Sequence, residues 1–248
     1  MTVAASKKAG KIWGVGLGPG AADLMTLRAD RLIRTAHHVA FFRKAGRDGR
    51  ARATVDGMLP ADAVEHAMEY PVTTEIPVSD PGYNACLAPF YEDWADRLAA
   101  IADAGEDIVV LCEGDPFFYG SFMHLYTRLA GRVAVEVVPA VTAMSGAWTA
   151  TGVPVTWGDD VLTVLVGTLP EAVLAEKASR CDALVVMKIG RHLGRVRRAL
   201  ETAGRLDDAW LVECATLPEQ RVMRLAERKG ESVPYFSTIV AHGRGRRA

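Results

Sequence analysis

The sequence predicts an α/β fold built on parallel strands, and three observations carry that expectation. Ile108-Val109-Val110-Leu111 is an apolar run without polar alternation, the pattern of a parallel strand covered on both faces. Ile12-Trp13-Gly14-Val15 runs into Gly16-Leu17-Gly18-Pro19-Gly20, and Leu24, Leu27 and Leu32 then recur near helical spacing, giving the order strand, glycine loop, helix. Further apolar runs at 133–138, 161–166, 183–188, 209–214 and 236–241 read as strands, several with helical segments between them. In open sheets of this kind ligands bind outside the carboxyl ends of the strands, so those ends are where functional residues are expected.

Taken in order, Val39-Ala40-Phe41-Phe42 is the second strand. It opens onto Arg43, Lys44, Arg47, Arg50 and Arg52, opposed within that stretch only by Asp48. A solvated loop is the first reading of residues 43–52. A cationic lip for a polyanionic substrate is the second, because arginine forks match carboxylates. Prolines at 71, 77 and 81 predict a long irregular connection over residues 68–83. Phe90, Trp94, Leu98 and Ile101 then form one helical face, and Gly105 stands where a helix-ending glycine belongs. The central strand follows and emerges at Glu113-Gly114-Asp115-Pro116. Gly114 admits close backbone approach, Pro116 fixes the exit, and Asp115 offers a carboxylate to donors; a plain strand-to-helix turn capped by the aspartate reads equally well. A helix at 122–129 leads to the 133–138 strand and a small-residue loop, Pro139-Ala140-Val141-Thr142-Ala143-Met144-Ser145-Gly146. In the helix over 192–203, Leu193, Val196 and Leu200 share a face, with Arg195, Arg197 and Arg198 off it as a solvated surface. The expected organisation is an N-terminal domain over 11–119 and a C-terminal domain over 120–243, with a boundary at 119–121 and disordered ends at 1–10 and 244–248.

Composition excludes several classes. With 248 residues, half of them apolar, the chain can bury a core, and a net charge of -1 gives no bias toward nucleic acid or an anionic membrane. Four separated cysteines and six scattered histidines contain no metal-ligand spacing, so no metal is expected. No secretory h-region or membrane-length apolar run occurs, which predicts a cytoplasmic protein. GxGxxG fails in every register of the first loop, and Ser145 lacks the flanking glycines of a nucleophile elbow. Small-residue loops with few proton-transfer groups suit chemistry carried by a cofactor.

Several separated motifs carry a resemblance. Val15 through Gly20 with Asp23-Leu24-Met25-Thr26-Leu27, then Glu113-Gly114-Asp115-Pro116, then Val138-Pro139 with Thr142 to Gly146, resemble the tetrapyrrole methylases in order and spacing. More narrowly, residues 68–75 and 112–123, Val186-Met187-Lys188-Ile189-Gly190-Arg191 and Pro234-Tyr235-Phe236-Ser237 resemble the branch that methylates precorrin-2 at C(20) in cobalamin biosynthesis. The resemblance implies two α/β domains with S-adenosylmethionine (SAM) in the cleft between them, a homodimer, and methyl transfer onto a reduced tetrapyrrole. It implies SAM contacts from Pro19, Glu113, Gly114, Asp115, Phe118, Thr142, Ala143, Met187 and Ala215. Tyr119 and Ser121 fall where a substrate-facing hydrogen bond would help remove the meso proton, with no general base assigned. Three departures stand out. Ala21 replaces an acid of the first loop. Ser121 replaces an arginine of the uroporphyrinogen branch. Ala140 replaces a glycine, which would strain the loop if positive φ were required there. Action on cobalt-precorrin-2 or at another ring position is the alternative; a redox nucleotide-binding protein fits the failed GxGxxG less well.

Overall fold

The computed structural model describes residues 9–73, 76 and 80–245. The chain forms two compact units, Met1–Thr142 and Ala143–Ala248.

The first unit is a five-stranded parallel sheet of β1 (Lys11–Gly16), β2 (His38–Lys44), β3 (Val64–Tyr70), β4 (Ile108–Cys112) and β5 (Ala134–Val138), in the order β3-β2-β4-β1-β5. The apolar run of β4 is explained by its two covered faces. Ile108, Val110 and Cys112 pack with α3 (Pro81–Asp103) and α4 (Phe122–Leu129), whereas Val109 and Leu111 pack with α1 (Leu27–Arg34) and α2 (Arg50–Thr54). Gly14 of β1 is required by packing, since a Cβ there would overlap the buried ring of Phe122. Thr26 caps α1 by accepting the Ala29 amide at 3.2 Å, and Asp80 caps α3 by accepting that of Gly82 at 2.8 Å.

The second unit is a mixed sheet of β6 (Leu162–Val166), β7 (Ala183–Met187), β8 (Ala209–Glu213), β9 (Arg221–Arg224) and β10 (Ser237–Ala241), in the order β6-β7-β10-β8-β9. Only β6 and β7 pair in parallel among these neighbours. Leu174 of α6 (Glu171–Ser179) and Val196 and Leu200 of α7 (Leu193–Thr202) cover the face of Leu184, Val186, Leu211 and Ile239. Ala147, Met144 and Trp148 of α5 (Ala143–Ala150) cover Val185, Val212 and Val240 on the other.

Several expectations shift. The boundary placed at 119–121 falls after Thr142 instead, because α4 and β5 complete the first unit and β5 pairs with β1. β3 and β9 were not foreseen; both are sheet edges with charged residues. α3 begins at Pro81, well before Phe90, and shortens the 68–83 connection, of which residues 74, 75 and 77–79 lie outside the described residues. The strands expected to reach 188 and 214 stop one residue earlier, where Lys188 and Cys214 take φ 53 and 50. At the ends expected to be disordered, Gly10 is buried and donates its amide to Ala102 O at 2.8 Å, and Arg244 pairs with Asp208. The rest of those ends, 1–8 and 246–248, lies outside the described residues. Among the described residues no helix is long and apolar enough to cross a membrane.

Candidate functional site

In the first unit the loops after β1, β4 and β5 are tied together by backbone. Leu17 N donates to Cys112 O at 2.9 Å and Gly114 N to Gly18 O at 3.0 Å, an antiparallel bridge beyond the parallel strands. Gly114 adopts φ 67, which glycine reaches without the usual Cβ penalty, and no atom lies within 4 Å of where a Cβ would project. That leaves open space over this turn. Gly16 is the reverse case: a Cβ would strike Ala140, Pro116 and the Gly114 carbonyl, so its absence lets the three loops close on one another. Pro19 follows in the same β1 loop, half-buried beside Gly18.

Asp115 is the clasp of this arrangement. Its Oδ1 accepts the Phe117 amide at 2.9 Å and its Oδ2 accepts the Ala140 amide at 3.0 Å, linking the β4 loop to the β5 loop. The capping and ligand readings are compatible, because an ionised carboxylate retains lone pairs beyond these two bonds. Ala140 supplies a donor to this link and lies outside the left-handed region, so its replacement of glycine introduces no strain. Glu113 keeps solvent contact yet lies in an atom-crowded position that raises its carboxyl pKa; Arg50 and the Ala51 amide, at the start of α2, pull it back.

Phe118 meets Tyr119 edge-on at 4.8 Å. Tyr119 is 41% exposed and takes φ 56, a strained conformation of the kind that gathers at functional sites. Ser121 takes a different environment: the Tyr70 hydroxyl donates to its Oγ, and Tyr91 hydrogen-bonds with both groups. Burial raises the Tyr91 pKa, which keeps that hydroxyl protonated. The ring of His124 stacks on Tyr91 at 4.7 Å, and Phe42 stacks on Tyr70 at 5.3 Å. Tyr70 and Tyr91 were missed from sequence, although Tyr70 lies within the 68–75 motif and Tyr91 adjoins Phe90.

The basic stretch is largely committed. Arg43 donates to Glu69 at 2.9 and 2.6 Å, Arg52 pairs with Glu65 at 2.8 Å and with Asp56 at 3.3 Å, and Arg50 faces Glu113. Residues 45–49 are a loop, as the first reading expected, between Lys44 at the end of β2 and Arg50 at the start of α2.

In the second unit Ala143 opens α5, while Met187 at the end of β7 and Ala215 beyond β8 share an apolar cluster with Met144. Thr142 closes the first unit. Positive φ at Lys188, Cys214 and Thr216, at 53, 50 and 68, brackets Met187 and Ala215 with strained backbone. The structure thus gathers Pro19, Glu113, Gly114, Asp115 and Phe118 in one unit and Met187, Ala215 and the start of α5 in the other.

Loops gathered at the carboxyl ends of strands in two successive α/β units define a ligand-binding α/β class, and the chain belongs to the tetrapyrrole (corrin/porphyrin) methylases, whose family model matches residues 11–229. Among its relatives, a precorrin-2 C(20)-methyltransferase from Sinorhizobium sp is 47% identical over 94% of this chain and 96% of its own length. A cobalt-precorrin-2 C(20)-methyltransferase from Salmonella typhimurium is 27% identical, covering 94% of this chain and 96% of that protein. The solved structure of uroporphyrin-III C-methyl transferase from Thermus thermophilus complexed with S-adenyl homocysteine is 25% identical, with a TM-score of 0.66 over 94% of this chain and 92% of that one.

Proposed function

We propose that this protein transfers a methyl group from SAM to the C(20) meso carbon of precorrin-2 in cobalamin biosynthesis. The observation that carries the reading is 47% identity, over nearly the whole of both chains, to an enzyme named for that reaction. Ser121, held in the Tyr70–Tyr91 hydroxyl cluster, supports the same branch over the uroporphyrinogen one.

The residues that would hold SAM are Pro19, Glu113, Gly114, Asp115, Phe118 and Thr142 in the first unit and Ala143, Met187 and Ala215 in the second. The open, left-handed turn at Gly114 and the spare lone pairs of Asp115 fit a ligand rich in hydroxyl and amine donors. SAM supplies an electrophilic methyl on a sulfonium. The chain's work is alignment: backbone loops already locked by the Gly18–Gly114 bridge and the Asp115 clasp would hold their geometry without reorganising when the reactants meet. The meso carbon would attack the methyl in line, its new bond forming as the sulfur–methyl bond breaks, with S-adenosylhomocysteine leaving and the meso proton lost afterwards. No covalent nucleophile is called for.

We further propose a cytoplasmic homodimer. The second reading, a cobalt-containing substrate, is favoured by the similarity to the Salmonella enzyme. The test is incubation with SAM carrying a labelled methyl group and each tetrapyrrole, followed by NMR. Label on the meso carbon between rings A and D of precorrin-2 is expected, and label elsewhere refutes the position.

A further inference from the structure

The sequence placed its strongest concentration of cations at 43–52, but Arg43, Arg50 and Arg52 are answered there by Glu69, Glu113, Glu65 and Asp56. A second group of cations, beyond β7 in the other unit, is built differently. Within eight residues come Lys188, Arg191, His192 and Arg195. Arg195 Nη2 donates to the Gly167 carbonyl at 2.9 Å and to His192 Nδ1 at 2.8 Å, so one guanidinium ties the loop after β6 to the loop after β7. Its Nε is buried and has no hydrogen-bond partner among the described residues, and among those residues no carboxylate pairs with it. A guanidinium with its Nε buried beside a carbonyl and an imidazole, and no carboxylate hydrogen-bonded to it among the described residues, is an arrangement an anionic ligand would complete.

Three further features sharpen the chemistry. Because His192 accepts at Nδ1, the neutral ring carries its proton on Nε2 and presents a donor; crowding, then Arg195 and Arg191, lower its pKa and keep it neutral. Lys188 sits at φ 53 at the very end of β7, and crowding lowers its ammonium pKa as well. A carboxylate of the chain itself, that of Glu231, already lies against Gly194 at the start of α7, so close that a Cβ on Gly194 would overlap it.

Resting on the methyl-transfer reading, we propose that Lys188, Arg191, His192 and Arg195 form the site that recognises a peripheral carboxylate of a polycarboxylate macrocycle, in place of the basic stretch at 43–52. These are substrate-positioning residues, since they would grip a side arm and not the reacting carbon.

The test uses the full chain and uroporphyrin, a macrocycle with acidic arms all round its rim, titrated by fluorescence, with S-adenosylhomocysteine affinity measured by calorimetry on the same samples. Arg191→Gln, on an exposed side chain, should weaken uroporphyrin about tenfold and flatten its salt dependence, as loss of a charge-assisted contact implies, and leave S-adenosylhomocysteine affinity unchanged. Arg195→Gln should do at least as much. Glu231→Gln should act in the opposite direction and tighten uroporphyrin, because it removes a competing negative charge. Arg47→Gln should bind as the parent does. Absence of uroporphyrin binding by the parent, unchanged affinity in Arg191→Gln, or a loss confined to Arg47→Gln would each overturn the assignment. Failure of the parent to bind S-adenosylhomocysteine would instead sink the methyl-transfer reading beneath it.

Discussion

Replacing Asp115 by alanine removes two acceptors at once, the partner of Phe117 N at 2.9 Å and that of Ala140 N at 3.0 Å. A hydrogen bond to a charged group contributes about 1.5–3 kcal/mol net. The Phe117 bond is exposed and its amide regains water, so it falls at or below the bottom of that range; the Ala140 bond is partly buried and sits higher. Their sum is about 2–4 kcal/mol, below the 5–15 kcal/mol typical of whole domains, so the variant should fold at 25 °C. Asp115→Asn keeps one carbonyl acceptor and should lose about half as much. Urea denaturation followed by tryptophan fluorescence reads both values, and calorimetry with S-adenosylhomocysteine reads the site. The expected pattern is graded stability loss, alanine beyond asparagine, with affinity for S-adenosylhomocysteine falling severely in alanine. A stability change under about 0.5 kcal/mol, the size of an ordinary surface substitution, would refute the clasp, and unchanged affinity would refute the pocket.

Three other expectations follow from the same geometry. Gly16→Ala should destabilise more than Gly114→Ala, since the first meets Ala140 and Pro116 while the second costs only about 1–2 kcal/mol of left-handed backbone; equal melting temperatures would contradict this. His38 Nδ1 and His66 Nε2 lie 3.0 Å apart, and burial lowers both pKa values below the ordinary 6.5, with the charge of His38 adding to the shift at His66. The unfolded chain therefore binds more protons, so stability should be intact above pH 6.5 and decline as pH falls below it, with His37 adding to and Glu106 opposing the shift. His66→Gln should flatten that decline in pH-dependent urea titrations, and an unchanged slope would exclude the pair as its source. Tyr70→Phe removes the donor to Ser121 and should slow methyl transfer about fivefold, the equivalent of about 1 kcal/mol, without altering S-adenosylhomocysteine affinity; full activity would show that the cluster serves folding alone.

What was legible in the sequence was what local pattern can encode. β4 announced itself because both of its faces are covered, and the β1 and β4 loops because glycines cluster directly after apolar strands, although what those glycines accommodate, Phe122 for Gly14 and Ala140 and Pro116 for Gly16, lies far along the chain. β3 did not: as an edge strand carrying Glu65 and Glu69 it lacks apolar contrast. Its omission also misled the charge reading, because the register sets Arg43 opposite Glu69, and a count confined to 43–52 finds only Asp48. The domain boundary was illegible for a topological reason. After α4 the chain crosses to the far side of β1 to add β5, a return that no local composition marks. Asp115 was found as a residue but not as a clasp, since its partner Ala140 arrives from that same returning segment.

The bridge between Gly18 and Gly114 bears on how such a protein can change. Main-chain atoms make that join, and the groups that meet there are common to nearly every amino acid. The floor of the candidate site thereby rests on main-chain hydrogen bonds, whereas Phe117, Tyr119 and Ser121 beyond it can be exchanged without removing a donor or acceptor of that bridge. A lineage could retain its grip on one methyl donor and explore new macrocycles through those few positions, and a designer seeking altered ring selectivity has the same latitude.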